Sequence, residues 1–179
     1  MKHISRNVWL LSLVSLFTDF ASEMTIPLLP VYLVSIGLSV GAIGVLEGVA
    51  EAISAFGKGY FGALSDALKQ RKFFIVTGYG LSALSKPLLA IFTTLPGVYL
   101  ARSLDRVGKG IRTAPRDALL NDEASPEHRN AVFGFHRSMD TVGAIMGPLA
   151  VLMFLTFYSE SIQAVFLWAL IPGLMATGI

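Results

Sequence analysis

Apolar residues run through this chain in six long stretches, roughly 7–36, 41–64, 73–94, 97–119, 131–157 and 162–179, separated by short polar breaks. A membrane-spanning helix needs about 20 predominantly apolar residues, and each stretch meets or approaches that length. The runs are too long and too little alternating for strands. The pattern predicts an all-α membrane protein with six transmembrane helices. The connections at 37–40, 95–96 and 158–161 contain no Lys or Arg. Lys2, Arg6, Lys69, Arg71, Lys72 and Arg129 fall on the other side, at the N-terminus and the second and fourth connections. By the positive-inside tendency those segments face the cytoplasm. The expectation is a multi-pass protein of the cell's inner (plasma) membrane with a cytoplasmic N-terminus.

Composition agrees. Hydrophobic residues make up 54% of the chain and charged residues 15%, against roughly 25% charged in a soluble domain. There is no cysteine, which excludes disulfide frameworks, thiolate metal sites and thiol catalysis. A net charge of +2 is too small to point to nucleic acid. The basic start, Met1 to Arg6, has the look of a secretory signal. The apolar run behind it is too long for a signal core, however, and no clean small-residue cleavage site closes it. It reads as a retained first span.

The candidate chemistry lies in ionisable residues inside the stretches. A charge at the bilayer centre costs at least about 2.5–3.5 kcal/mol on insertion scales, so such groups normally face a bundle interior or a watery path. In the fourth span Arg102, Asp105, Arg106, Lys109, Arg112 and Arg116 recur at three- and four-residue intervals. At about 100° per residue they cover roughly a third of the helix circumference. Counted inward from Pro96 at about 1.5 Å per residue, Arg102 to Lys109 bracket the bilayer centre and are expected to line a solute path. Arg112 and Arg116 fit either lining or snorkelling to the cytoplasmic surface. Asp105 fits neutralisation of Arg102 or Lys109 on the same face.

The first span sets Ser12, Ser15, Asp19 and Glu23 on one stripe ahead of Pro27 and Pro30, with Asp19 near mid-membrane. The second carries Glu47 and Glu51 one turn apart with Lys58 on the same face, and the fifth carries His136 and Asp140 one turn apart. These acids either pair with the fourth-span cations or relay protons, the usual chemistry of a mid-membrane carboxylate that can change partner. The relay candidates are Asp19, Glu51 and Asp140, with His136 as accessory. Lys86 stands before Pro87 without a companion stripe and is expected to snorkel or mark a kink. Gly41, Gly44, Gly48, Ala52, Ala55 and Gly59 form a small-residue face on the second span. Gly143 and Gly147 do so on the fifth, where Gly147-Pro148 is also a candidate gating element. Small faces let membrane helices approach closely.

Several of these residues fall into known motifs. The segment Gly62-Ala-Leu64-Ser-Asp66-Ala-Leu-Lys69-Gln-Arg71-Lys72 resembles motif A of the major facilitator superfamily: a Gly, a Leu and an Asp before a basic cluster at this loop. Ala67 and Lys69 stand where that motif usually has Arg and Gly. Arg102 lies where the superfamily carries its motif B arginine. Gly134, Gly143 and Gly147-Pro148 resemble motif C of the drug/proton antiporter branch, with Val151 in place of its last glycine. The stretch from Asp105 to Asp117 is similar to a prokaryotic branch of permeases.

The resemblance implies two six-helix halves related by an axis along the membrane normal. This chain would be the N-terminal half bundle, and the C-terminal half is missing. It further implies that spans one and four line a central cavity, that two and five meet the other half, and that three and six face lipid. Asp66 and Arg71 would make charge contacts near helix ends, partly with the absent half.

The expected function is secondary active transport of a small polar or anionic solute or drug by alternating access, coupled to protons. Arg102, Arg106 and Lys109, with Asp19 and Glu23, would bind the solute. Motif C hints at efflux, while the cationic stripe hints at an anionic substrate carried in either direction. The alternative is a transport-inactive six-helix scaffold or sensor. The expected partners are the lipid bilayer, a small-molecule substrate, protons and the missing half, with no nucleic acid. No cofactor or metal is expected, since His3, His128 and His136 form no ligand pattern. No enzyme is expected either: Gly108-Lys109 lacks the rest of a phosphate loop, and Ser125-Pro126-Glu127-His128 reads as a helix N-cap with Pro first. The apolar end at Thr177-Gly178-Ile179 suggests a fragment that does not transport alone, unless a parallel homodimer supplies the second wall.

Overall fold

A computed structural model describes residues 4–158 and 161–179. Lys2 and His3, and the middle of the 158–161 connection, lie outside them. The regular structure among the described residues is helical throughout. In order it comprises α1 (Arg6–Thr25), α2 (Leu29–Ser35), α3 (Val40–Leu68), α4 (Arg71–Ile91), α5 (Leu95–Glu123), α6 (Arg129–Phe157), α7 (Ile162–Trp168) and α8 (Leu170–Gly178).

Among the described residues, α3, α4 and α6 are long and apolar enough to cross a membrane by length and composition alone. α5 has the length, 29 residues, but carries the charge stripe. The first stretch is divided between α1 and α2, in the neighbourhood of Pro27 and Pro30, each of which lacks a backbone donor. The last stretch is α7 followed by α8, joined at Ala169.

Local chemistry sets several helix starts. Ser5 Oγ accepts from Val8 N–H at 3.2 Å and Ser39 Oγ from Ala42 N–H at 3.2 Å, each satisfying an otherwise orphan donor of the first turn. Ser125 does not cap α6 as expected. Its carbonyl accepts from His128 N–H at 3.0 Å in a turn, and the helix begins at Arg129.

α5 packs between α3 and α4, while α6 packs on α1. α7 and α8 join the two groups by lying against both α1 and α4. The first stretch therefore seats on the fifth as the fourth seats on the second, the pairing of a three-plus-three inverted repeat.

Two apolar cores close the ends of the bundle. One gathers Val8, Leu11, Val14, Ile75, Tyr79, Leu120 and Val132. The other gathers Leu29, Tyr32, Leu33, Leu46, Leu89, Val98 and Phe166. Between them lies a buried polar layer that includes Lys86, Arg102, Asp105, Arg106 and Arg112.

Glycines set the closest helix crossings. A Cβ at Gly57 would stand 3.1 Å from the Gly110 backbone, bringing α3 against α5, and one at Gly78 would stand 2.6 Å from Gly108 O, bringing α4 against α5. On α6, a Cβ at Gly143 would overlap Leu16 O, and one at Gly147 would come within 2.6 Å of Glu23 Cβ. The small-residue face expected to pack the second span behaves otherwise. A Cβ at Gly41, Gly44, Gly48 or Gly59 would meet nothing within 4 Å, and Ala52 and Ala55 are exposed. α3 is rotated so that Gly57 and Gly62 take the contact with α5 instead.

Candidate functional site

The charge stripe of α5 splits into two groups with different surroundings. Arg102 is buried and held on both sides. Its Nε and Nη2 donate to the two carboxylate oxygens of Glu47 on α3, at 2.8 and 2.6 Å. Its Nη1 lies 3.5 Å from Asp105 Oδ2. Asp105 in turn accepts from Lys86 Nζ at 2.6 Å. Glu47, Arg102, Asp105 and Lys86 thus form a neutral chain of two acids and two bases across α3, α5 and α4.

This corrects the reading of Lys86. It neither snorkels nor merely marks a kink: at 2% exposure it is the buried partner of Asp105. Asp105 does pair with Arg102 as expected, and its other partner is Lys86. The signal was present in the sequence. Lys86 stands nine residues before Leu95 and Asp105 nine after Pro96, so a tight connection places them at one depth on adjacent helices.

The second group faces α1. Asp19, Ser22 and Glu23 of α1, Ile26 just beyond its end, and Asp105, Arg106, Lys109 and Arg112 of α5 line a cavity of about 60 Å³. Two acids thus stand opposite three cations across the α1–α5 gap. Arg106 is 7% exposed. Its Nη1 lies 3.6 Å from Glu51 Oε2 on α3, and its Nε is buried without a hydrogen-bond partner among the described residues. Arg102 is not among the residues lining the cavity. Lys109 is half-buried at the wall.

Arg112 and Arg116 do not reach for the surface. Arg112 is buried, donates to Ser82 Oγ on α4, and lies with Cζ 4.7 Å from the Tyr79 ring centroid, a cation–π arrangement. Arg116 donates to Ser15 Oγ on α1 at 3.2 Å and to Asp117 Oδ1 at 2.9 Å.

The fifth stretch contributes a separate cluster. His136 and Asp140 are buried on the face of α6 that meets α1, and His136 Nδ1 lies 3.2 Å from Ser12 Oγ. Gly143 and Gly147 lie on that same face, with Pro148 exposed beyond them. Gly134 points to open space.

At the turn from α3 to α4, Arg71 donates to Asp66 Oδ1 at 3.1 Å and also to Asp122 at the end of α5. Asp66 has Arg71 as its one salt-bridge partner among the described residues and is largely exposed. Lys72 is exposed. Leu64 and Gly62 are half-buried, with a Cβ at Gly62 coming within 2.9 Å of Ala114 Cβ. Lys69 closes α3 in the left-handed region, φ 54°, a conformation that favours glycine.

A second contact at this end of the bundle has no counterpart in the motifs. Ser5 Oγ donates to Glu123 Oε2 at 2.7 Å and Asn7 Nδ2 to Glu123 Oε1 at 2.5 Å, tying the start of α1 to the end of α5. These hydrogen bonds favour the charged carboxylate and hold Glu123 below its ordinary pKa.

The comparisons with known proteins agree with this architecture. A family model described as Major Facilitator Superfamily matches residues 11–179. An uncharacterized MFS-type transporter of Methanocaldococcus jannaschii is 38% identical over 174 residues, which are 97% of this chain and 44% of that protein. An uncharacterized protein of Mycobacterium bovis is 32% identical over 146 residues, 82% of this chain and 36% of that protein. An uncharacterized MFS-type transporter of Bacillus subtilis is 24% identical over 147 residues, again 82% of this chain and 36% of that protein. This chain spans less than half the length of these relatives.

Proposed function

Because the chain belongs to the major facilitator superfamily, we propose that it forms the N-terminal six-helix half of a secondary transporter that works by alternating access. The observation that carries the reading is the cavity between α1 and α5, where Asp19 and Glu23 face Arg106, Lys109 and Arg112. Opposed charges in a water-accessible gap suit a small polar or anionic solute. The guanidinium of Arg106, with a buried Nε still unpaired, suits a carboxylate or phosphate oxygen. In this reading Arg102 holds the helices through Glu47 and Asp105, and the solute meets Arg106 and Lys109.

Proton coupling is part of the proposal. Asp19 lies at the cavity wall, Glu51 beside Arg106, and Asp140 on the α1–α6 seam. Asp19 faces the cations across the cavity, Glu51 faces Arg106, and Asp140 faces His136. The exposed faces of α3 and α6 would meet the C-terminal half, with the N-terminus in the cytoplasm of an inner (plasma) membrane. The hint of export rests on the motif C resemblance alone.

The test is solute-dependent proton flux in proteoliposomes containing the intact transporter, with a panel of small anions and a pH-sensitive dye inside. The expected result is a saturable proton signal for one class of solute. Arg106→Gln should raise the half-saturating concentration about tenfold or more, a loss of about 1.4 kcal/mol. Asp19→Asn should retain solute exchange and lose the proton signal. Absence of any solute flux across the panel, with a correctly folded protein, would favour the transport-inactive scaffold.

A further inference from the structure

His136 and Asp140 share one stripe of α6 with Gly143, Gly147 and Val151, the face packed on α1. They are 3% and 8% exposed. His136 Nε2 and Asp140 Oδ1 face each other at 3.6 Å, just beyond hydrogen-bond length. Neither atom is accessible to solvent, and neither has a hydrogen-bond partner among the described residues. An unsatisfied buried polar atom is costly and native folds keep few. Here two of them face one another across a gap that a small contraction would close around a proton.

Ser12 gives the pair its second state. Its hydroxyl lies 3.2 Å from His136 Nδ1, and a hydroxyl can donate or accept by rotation. When Ser12 donates, Nδ1 is bare, Nε2 carries the ring proton, and that proton points at the Asp140 carboxylate. When Ser12 accepts, a neutral ring carries its proton on Nδ1. Its bare Nε2 then faces Oδ1, and the pair is satisfied once Oδ1 is protonated. The charged groups acting on the pair are Asp19 from α1, Arg116 and Asp117 from α5, and Arg137 on α6 itself. Asp19 also lines the α1–α5 cavity, so the seam and that cavity are electrostatically connected.

We propose that His136, Asp140 and Ser12 form a proton-binding unit on the α1–α6 seam, with Ser12 as the positioning residue that selects the histidine tautomer. On loading, an O–H bond of hydronium breaks, Ser12 Oγ passes its own proton to His136 Nδ1 and takes the incoming one, and an N–H bond forms at Nδ1. In the hop the Nε2–H bond breaks as an O–H bond forms at Asp140 Oδ1. Release reverses these two steps and returns the proton to water. One proton enters and one leaves, and no electrons are transferred. As a coupling site the unit rests on the proton-coupled reading above; as a proton site it is tested separately.

The test follows the C=O stretch of protonated carboxyl groups by infrared difference spectroscopy, titrating the purified protein in lipid. One band should vanish in Asp140→Asn. Its midpoint should move by about one pH unit or more in His136→Gln and in Ser12→Ala, and return toward wild type in Ser12→Thr. A Ser12 that only fills space would leave the midpoint unmoved, and that result overturns the assignment, as does a wild-type titration unchanged by Asp140→Asn. If Asp140→Asn fails to fold, nitrogen-15 histidine spectra of the wild-type protein decide. A His136 that exchanges tautomer with pH supports the unit, and one fixed in a single tautomer overturns it. Should vesicle flux ignore the proton gradient while the band behaves as described, the coupling reading falls and the proton site stands.

Discussion

Lys86 Nζ and Asp105 Oδ1 meet at 2.6 Å inside the α4–α5 interface. Asp105 shares its other oxygen with Arg102, which Glu47 grips with both carboxylate oxygens. The chain of charges pins one side of α5 to α3 and α4. The next residue round the helix, Arg106, is about 100° away and so lies at the cavity facing α1.

Removing one member of this chain should be far worse than removing a pair. Lys86→Met leaves Asp105 short of a buried partner and should cost about 3–5 kcal/mol. Combining it with Asp105→Leu should recover most of that loss, because Glu47 still neutralises Arg102. Unfolding in detergent, followed by tryptophan fluorescence and circular dichroism, reads the difference. A Lys86→Met protein as stable as wild type would show that the pair does not hold α4 to α5.

The glycines should divide by packing rather than by spacing. Gly143→Ala and Gly147→Ala force α6 away from α1 and should destabilise by about 1–3 kcal/mol. Gly44→Ala and Gly48→Ala meet nothing within 4 Å; in the isolated chain they should be neutral or, through helix propensity, stabilising by up to about 1 kcal/mol. The same unfolding measurement applies. Equal losses at all four positions would contradict the observed rotation of α3.

Lys69 is a non-glycine residue in the left-handed region, φ 54°. Lys69→Gly relieves a strain of about 1–2 kcal/mol and gives back part of it as extra freedom in the unfolded chain. A net gain of about 0.5–1 kcal/mol is expected. A drop in the unfolding midpoint would mean that the lysine charge matters more there than the backbone.

Glu123 should give the clasp between α1 and α5 a pH signature. Its folded pKa is depressed by Ser5 and Asn7, so its stabilisation is present above the ordinary value of 4.5 and is lost as pH falls through the lower folded value. The site is partly exposed, so the effect should be at most about 1 kcal/mol. Stability profiles of wild type and Glu123→Gln should differ at neutral pH and converge in acid. Parallel profiles would show that the clasp contributes nothing.

Orientation is open to thiol labelling, because the chain contains no cysteine. With a membrane-impermeant reagent on intact cells, Val40→Cys should label, and Gln70→Cys and Glu127→Cys should label only after permeabilisation. The reverse pattern would invert the topology.

The sequence alone determined that this is an all-α membrane protein, and it selected the stretches that become helices. Length and hydropathy are properties of the local chain, and a period of 3.6 residues shows which side chains share a face. The cationic stripe of α5, the acidic stripe of α1 and the His136–Asp140 turn were legible for that reason. Rotation of each helix about its own axis was not, because it depends on what the neighbouring helix offers. Only the tertiary structure turned Gly41, Gly44 and Gly48 outward and seated Gly57 against Gly110. It also turned a solitary Lys86 into the partner of Asp105, drew Arg112 onto Tyr79, and separated Arg102 from the cavity that Arg106 lines. A helix face is written in spacing. Its occupant is decided when two faces must bury their charges together, since a buried charge is tolerable only where another helix brings its counterpart within reach.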